Sequence, residues 1–516
     1  MKLTVAGRSG DQVGGKIYGI EPRNERLMKN IRNTKAPRLF VCGAVTALAL
    51  LLLLSIPRLA TAAEPIRLDP HNSHYFLFHG KPTVLITSGE HYGAVINRAF
   101  NYVAYLNELK AYGFNLTRTF AGTYREIFGT FGIADNTLAP KASQFVCPWA
   151  RSNIPGAGDG GNKFNLELFN AAYFKRLKDF VTQAGKRGVV VELTLFCAIY
   201  NHKLWSINPM KASNNVQGIG KVGRRDVYTM KDKRLLAVQE ALVRKIVGEL
   251  RNCDNVYFEI CNEPYWSSTS REWSDRIATV IRNADKGRYG PHLIAQNIAN
   301  GARKIKNADP LVSIFNFHYA TPNAVKLNYA LDRPIADDET GFRGKSNRPY
   351  RTEAWKFMLA GGAVFDNLDY SYTVKHPNGT APLTTSPGGG GPEIRRQLQI
   401  LKEFLGGFDL IRMQPDNGVI KGGTITEPLD GNVVKTTTVE ALAERGKAYA
   451  IYICGGTQAD LTIKIPTGEY QAQWINTRTG KVVKERSFLQ AAVRRTLKSP
   501  MYCEDIALRI VRTKGK

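Results

Sequence analysis

A chain of 516 residues with 43% apolar content can bury a large core, and its length suits two domains or one large barrel with an appendage. The formal charge of +27 is partly local, because residues 1–62 hold ten Lys/Arg against three Asp/Glu and leave +20 for the remainder. Such a surface attracts polyanions, but no nucleic-acid-binding pattern accompanies it, and nucleic acid is not an expected partner.

The first element is an apolar run, Leu39 to Ile56, preceded by Lys29, Arg32, Lys35 and Arg38 and followed by Ala60-Thr61-Ala62. Basic, apolar and small-residue segments in that order describe a secretory signal peptide over residues 1–62. Its basic part has ordinary length if the chain starts at Met28. An uncleaved signal anchor is the alternative, since the run is about long enough to span a bilayer. Either way the expected location is secreted or periplasmic, in the cell envelope. Membrane contact is then transient and confined to this segment, and a monomer is expected. Export permits disulfides. Cys454 with Cys503 is the first pairing to test, both falling in one strand-rich region.

After the signal, IRLDPHNSHYFLFHGKPTVLI reads as a hairpin leading into a first core strand that ends near Ser88. Apolar strands and amphipathic helices then alternate. LLAVQEALVRKIVGEL places Leu235, Val238, Leu242, Ile246 and Leu250 on one helical face, and FNAAYFKRLKDFVTQA does the same with Phe169, Tyr173, Leu177, Phe180 and Ala184. The strand candidates are PTVLITSG, FNLTRTF, VVVELTLF, VYFEIC, HLIAQN, VSIFNFHY, PIADDE and GAVFDNLDY. Eight strands alternating with helices predict an α/β chain with a (β/α)8 TIM barrel over residues 63–409; an open doubly wound sheet is the fallback. GAGDGG, Gly156 to Gly161, matches a dinucleotide-binding spacing but follows a Pro-containing loop and no strand, so it reads as a loop. Beyond Asp409, short runs such as KAYAIYICGG, LTIKIP, YQAQWIN and KVVKER predict a small β-sandwich over residues 410–516.

In a barrel of this kind the C-terminal strand ends share one site. The polar residues there are Glu90 and His91, Arg118, Asn262 with Glu263, His318 with Tyr319, and Asp337, Asp338 and Glu339. Acidic groups after the fourth and seventh strands are what glycoside hydrolysis needs: one carboxylic acid to protonate the leaving oxygen and a second, ionised, to attack or to activate water. Glu192 and Glu259 lie within strands and read as polar groups supporting the site from the barrel interior. Trp149, Trp205 and Trp266 fall in loops, where indoles either stack on sugars or plug packing. No C-x-x-C, H-E-x-x-H or G-x-S-x-G occurs, which argues against zinc clusters, metalloproteases and serine esterases. No cofactor and no metal is expected.

Asn-Glu-Pro after the fourth strand, Arg in NLTRTF, His-Tyr in FNFHY and Glu in ADDETGF together resemble the clan A glycoside hydrolases, especially the cellulase-like family 5 and the apiosidase-like barrels. The resemblance spans Glu64 to about Asp409. It implies that Glu263 is the acid/base, Glu339 the nucleophile and Asn262 the partner of the sugar 2-hydroxyl. His318 and Tyr319 would line the mouth, and Arg118 would hold Glu339 ionised, since an adjacent guanidinium lowers a carboxylate's pKa. A carboxylate nucleophile implies retention, with the two carboxyl groups ~5 to 5.5 Å apart and Glu263 keeping its proton. Glu90, His91, Trp205, Trp266 and Tyr370 complete the expected substrate-binding set. Many clan A enzymes place a Trp after the eighth strand, whereas this chain has Tyr370 and Tyr372. The C-terminal region resembles the collagen-binding-type sandwich found on apiosidase-like barrels, and is read here as a module packed on the barrel. The expected function is a secreted retaining hydrolase of a polysaccharide or oligosaccharide; the alternative is a noncatalytic carbohydrate- or matrix-binding protein on the same fold.

Overall fold

The computed structural model describes residues 64–287, 290–426 and 438–513. The signal peptide or anchor, Met28 and Cys42 lie outside the described residues. A short antiparallel sheet (Arg67–Leu68, Phe76–Phe78, Lys81–Thr83) leads into eight parallel strands. These are β1 (Leu85–Gly89), β2 (Leu116–Phe120), β3 (Val190–Cys197), β4 (Val256–Asn262), β5 (Ile294–Asn300), β6 (Ile314–His318), β7 (Ile335–Thr340) and β8 (Val364–Leu368). Each pairs with its successor from β2 to β8, and β8 returns to β1 through Val364↔Leu85 to Leu368↔Gly89. Every residue of β2, β3 and β4 is buried, because one face fills the barrel and the other meets helices. That double burial is why these strands read as continuous apolar runs.

Among the described residues, the longer helices are α1 (Tyr102–Ala111), α2 (Ala171–Gly185), α3 (Lys233–Leu250), α4 (Arg271–Ala284), α5 (Pro322–Asn328), α6 (Asn347–Leu359) and α7 (Pro392–Gly406). On α3 the predicted stripe from Leu235 to Leu250 is buried, and Asp232 caps the helix by accepting from the Arg234 and Leu235 N–H groups at 3.0 Å. Phe169 is not on α2; it ends the preceding strand. Between β5 and β6 the described residues 301–313 form no helix. Gly301 and Asn307 adopt left-handed backbone there, and Pro310 restricts its predecessor. The Gly-rich GAGDGG lies at the turn of an antiparallel ribbon, Trp149–Pro155 with Asn162–Phe169, closed by the Gly161 carbonyl accepting from the Ala157 N–H at 3.0 Å.

The C-terminal strands are β9 (Gln414–Pro415), β10 (Ile420–Thr426), β11 (Thr438–Glu444), β12 (Ala448–Cys454), β13 (Gln458–Ile463), β14 (Gly468–Ile475), β15 (Val482–Gln490), β16 (Arg495–Lys498) and β17 (Asp505–Arg512). They form one sheet in the order β9-β11-β12-β17-β14-β15 and another in the order β10-β13-β16. Strand β12 shows how sandwich and barrel join. Tyr449, Ile451 and Ile453 enter the sandwich core, while Ala450, Tyr452 and Cys454 join the barrel's core cluster. Tyr452 stacks on Trp355 of α6 at 5.4 Å, and buried Arg351 of α6 donates to Asp505 at 2.8 Å and Glu504 at 2.7 Å. Barrel and sandwich form one compact unit. The Cys454–Cys503 pairing singled out for testing is not formed, and all six described cysteines are free. Cys454 turns inward onto the barrel helices, whereas Cys503 sits exposed in a turn.

Candidate active site

The stretch VYFEICNEPY resolves into a strand and a strained turn. β4 ends at Asn262, and Glu263 takes left-handed backbone (φ 46°, ψ 50°) ahead of Pro264. Such a conformation is costly for a residue with a Cβ and occurs mostly where a side chain must be aimed. Here it brings the Glu263 carboxylate into the barrel mouth. Glu339, on β7, faces it there. Glu263, His318 and Glu339 each present an atom within 4.8 Å of the other two.

Arg118 organises this pair from below. Its guanidinium donates to Glu339 at 3.2 Å, Glu259 at 2.6 Å and the Asn262 side-chain oxygen at 2.7 Å, and lies 3.3 Å from Asp338. It makes no described contact with Glu263. Instead Asn262 donates to the Tyr200 hydroxyl at 2.9 Å, and Tyr200 donates to Glu263 at 2.6 Å. One arginine thereby fixes both carboxylates, one directly and one through two neighbours.

The Glu263 shift runs opposite in direction to the sequence expectation. Burial pushes the Glu263 carboxyl up, but the hydrogen bond and charge of His318, with the Tyr200 and Tyr265 hydroxyls, outweigh it and hold the group below its ordinary value. His318 Nδ1 lies 3.2 Å from Glu263 and 3.6 Å from Glu339. Burial lowers its imidazole, yet the charges of Glu339 and Glu263 raise it above its ordinary value. The two shifts run in opposite directions across one hydrogen bond, so the titration belongs to the Glu263–His318 pair.

Below the mouth, Glu192, Glu259 and Asp338 form a second group of possible metal ligands within 4.8 Å of one another, with the Arg118 guanidinium already placed as their cation. Burial, then Glu259, pushes Glu192 up to about 7, and burial raises Asp338 well above the carboxylate range. Asp337 points the other way, into the helix layer beside Glu353, and is also raised by burial. Of the three consecutive acids on β7, Glu339 is the one that lines the cleft.

The cleft has a volume of about 420 Å³, and its walls include His91, Asn262, Glu263, Trp266, Tyr319 and Glu339. Trp266 is 56% exposed and Tyr319 has a left-handed backbone, φ 50°. Other expected residues lie elsewhere. Glu90 is buried, accepting from the Gly93 and Ala94 N–H groups at 3.0 Å and from the Thr137 hydroxyl, so it anchors loops. Trp205 is buried within a short helix, His202–Ser206, and Trp149 within the ribbon. Tyr370 lies beside Phe342, ring centroids 5.7 Å apart, and is not among the cleft's walls. Sequence reasoning missed Tyr200 and Glu126. Tyr200 stands in CAIYNH, where it reads as the tail of an apolar strand. Glu126 stands in a loop without a motif, yet it is buried, lines the cleft and contacts His91 at 3.3 Å.

Comparison with known proteins agrees with this geometry. No curated sequence matches the chain. Two solved structures from Bacteroides vulgatus ATCC 8482 superpose on it. One has TM-score 0.62 and 14% identity, covering 87% of this chain and 83% of its own. The other, a glycoside hydrolase family 5 protein, has TM-score 0.57 and 15% identity, covering 87% and 93%. At such identities the likeness establishes the fold. A third structure, a glycoside hydrolase, has TM-score 0.56 and 14% identity, covering 88% and 98%. The family profile described as cellulase (glycosyl hydrolase family 5) matches residues 79–341, from the hairpin before β1 to the end of β7, and so spans both cleft carboxylates. With its barrel, its sandwich and its paired acids at the barrel mouth, this chain belongs to glycosyl hydrolase family 5 and is a glycoside hydrolase.

Proposed function

We propose that this enzyme is exported and hydrolyses O-glycosidic bonds of a polysaccharide or oligosaccharide with retention of configuration. Glu339 attacks the anomeric carbon, and Glu263 delivers to the leaving oxygen the proton held by the Glu263–His318 pair. Water then resolves the glycosyl-enzyme bond, with the same pair accepting its proton. The observation that carries this reading is the approach of the two carboxyls to within 4.8 Å across one cleft, with the guanidinium on Glu339 alone. Inverting enzymes leave ~6.5 to 9.5 Å for an intervening water. Asn262 lies beside Glu263 in the cleft wall, in place to meet the sugar 2-hydroxyl. Export is supported by the basic, apolar and small-residue order of residues 29–62, and places the mature start near Ala63.

The test is the anomeric configuration of the first-formed sugar, followed by NMR during hydrolysis of an aryl glycoside. The substrate's own configuration is expected, and an inverted first product overturns the mechanism.

A further inference from the structure

The mouth of the barrel is crossed by an aromatic chord. Phe131, from the loop between β2 and α2, lies edge-on to Tyr200 at 5.4 Å and to Phe342 at 6.2 Å. Tyr200 follows β3 and Phe342 follows β7, strands on opposite sides of the eight-stranded barrel. The chord therefore divides the loops after β8, β1 and β2 from those after β4, β5 and β6. On the first side the cleft is walled by His91, Glu126 and Leu138; on the second, by Glu263, Trp266 and Asn300.

The segment carrying Phe131 is built to hold it in place. Glu126 donates its N–H to the Leu138 carbonyl at 2.9 Å and accepts from the Asn136 amide at 2.5 Å, which ties the loop's two ends together. Asn97 donates to the Thr137 carbonyl at 2.9 Å. Gly93 lies so close to Thr137 that a Cβ there would come 2.1 Å from its backbone carbon, so the loop is seated directly on the turn after β1. Phe131 itself has left-handed backbone, φ 55°, between Gly129 and Gly132. A bulky residue held in that conformation marks an imposed position.

We propose that the cleft is a one-ended pocket that receives the non-reducing terminal sugar of a glycan behind this chord, so that the enzyme works from chain ends. The proposal rests on Glu263 as the acid. The acid stands on the side of the leaving group, so the aglycone extends toward Trp266 and Asn300, and the sugar being transferred occupies the side of His91 and Glu126. There the Glu126 carboxylate and the His91 imidazole, 3.3 Å apart and both buried, present hydrogen-bonding groups where an unending chain would need an exit. Glu126 is met by the Tyr124 hydroxyl at 3.2 Å and by the Asn136 amide, but the buried His91 Nδ1 has no described partner; a buried polar atom is costly unless one meets it, and the hydroxyl-rich end of a glycan supplies it. The small volume, about 420 Å³, suits a short stretch of glycan.

The experiment follows early products from a panel of neutral oligosaccharides labelled at the reducing end, alongside aryl monoglycosides. Expected are an unlabelled monosaccharide and a labelled chain one sugar shorter. Early labelled fragments from internal cleavage, with aryl monoglycosides still hydrolysed, overturn the one-ended pocket and leave the roles of Glu263 and Glu339 standing. No turnover of any substrate overturns those roles and this proposal together. Phe131→Ala should raise internal relative to terminal cleavage by about tenfold or more, the scale of reshaping an apolar wall. Phe128→Ala, on the same loop but 94% exposed, should leave the pattern as it is. Identical patterns in all three proteins, or an equal shift from Phe128→Ala, overturn the role given to the chord.

Discussion

Two buried arginines of this chain do opposite work. Arg351, between barrel and sandwich, donates to Asp505, Glu504 and Gln397, and the Tyr452 hydroxyl donates to Asp505 at 2.8 Å. Two carboxylates, Asp505 and Glu504, meet two guanidiniums there, since Arg348 lies 3.7 Å from Glu504. Arg118, under the cleft, faces Glu259, Asp338 and Glu339 with Glu192 close behind, and its Nε has no described partner. A network that only holds structure is balanced in charge. The network under the mouth carries more acids than one cation can neutralise, and burial with the neighbouring carboxylates raises Glu192 and Asp338 toward their neutral forms. Excess charge of this kind is a mark of chemistry.

The contrast can be broken most sharply at Glu339. Glu339→Ala is expected to lower kcat by at least about 10⁴-fold, the scale of deleting a group that forms a covalent bond, with far-UV and near-UV circular dichroism unchanged. Glu263→Ala should follow, losing about 10² to 10⁴-fold on substrates with poor leaving groups. Dinitrophenyl glycosides should be much less affected, and azide should restore turnover. Equal losses on both substrate types would remove Glu263 from the acid role.

On the balanced side, Arg351→Ala should lower stability by about 3 to 5 kcal/mol in denaturant unfolding, because it strands a buried Asp505. The kcat of the folded fraction should stay that of the parent. A loss of kcat without loss of stability would erase the distinction between the two arginines.

The smallest effect concerns pH. Glu192 binds its proton up to about 7 in the folded chain and only to about 4.5 when unfolded. The folded state then holds more protons between these values, so stability falls as pH rises through that window. His318, raised above 6.5, contributes stability that is full below 6.5 and lost as pH climbs through its folded value. Glu192→Gln should flatten the decline between pH 4.5 and 7 measured by urea unfolding, and an unchanged slope would place the surplus proton elsewhere.

The barrel was legible because burial on both faces leaves no choice but apolar strands, and even HLIAQN and PIADDE formed where the pattern put them. The lack of a helix between β5 and β6 was not, since alternation alone supplied one while Gly301, Asn307 and Pro310 worked against it. In the sandwich, KAYAIYICGG, LTIKIP, YQAQWIN and KVVKER fall on β12, β13, β14 and β15, but β10 is largely exposed and carries little periodic signal. At the site, Asn262, Glu263 and Glu339 stood out as polar residues at the ends of apolar runs. Tyr200 and Glu126 did not, because a loop's path is set by distant contacts such as Gly93 on Thr137. Trp205 failed for the converse reason: an indole in a loop segment says nothing about which way it turns.

The left-handed turn at Glu263 has an evolutionary reading. Gly would take that backbone without a Cβ penalty, so Glu263→Gly should relieve strain of about 1 to 3 kcal/mol while removing the proposed acid. Selection for a sturdier fold and selection for turnover thus pull this codon in opposite directions. A lineage that kept the barrel only as a binding surface would drift toward Gly or Asn here, and a glutamate held at this turn is what the proposed acid role requires.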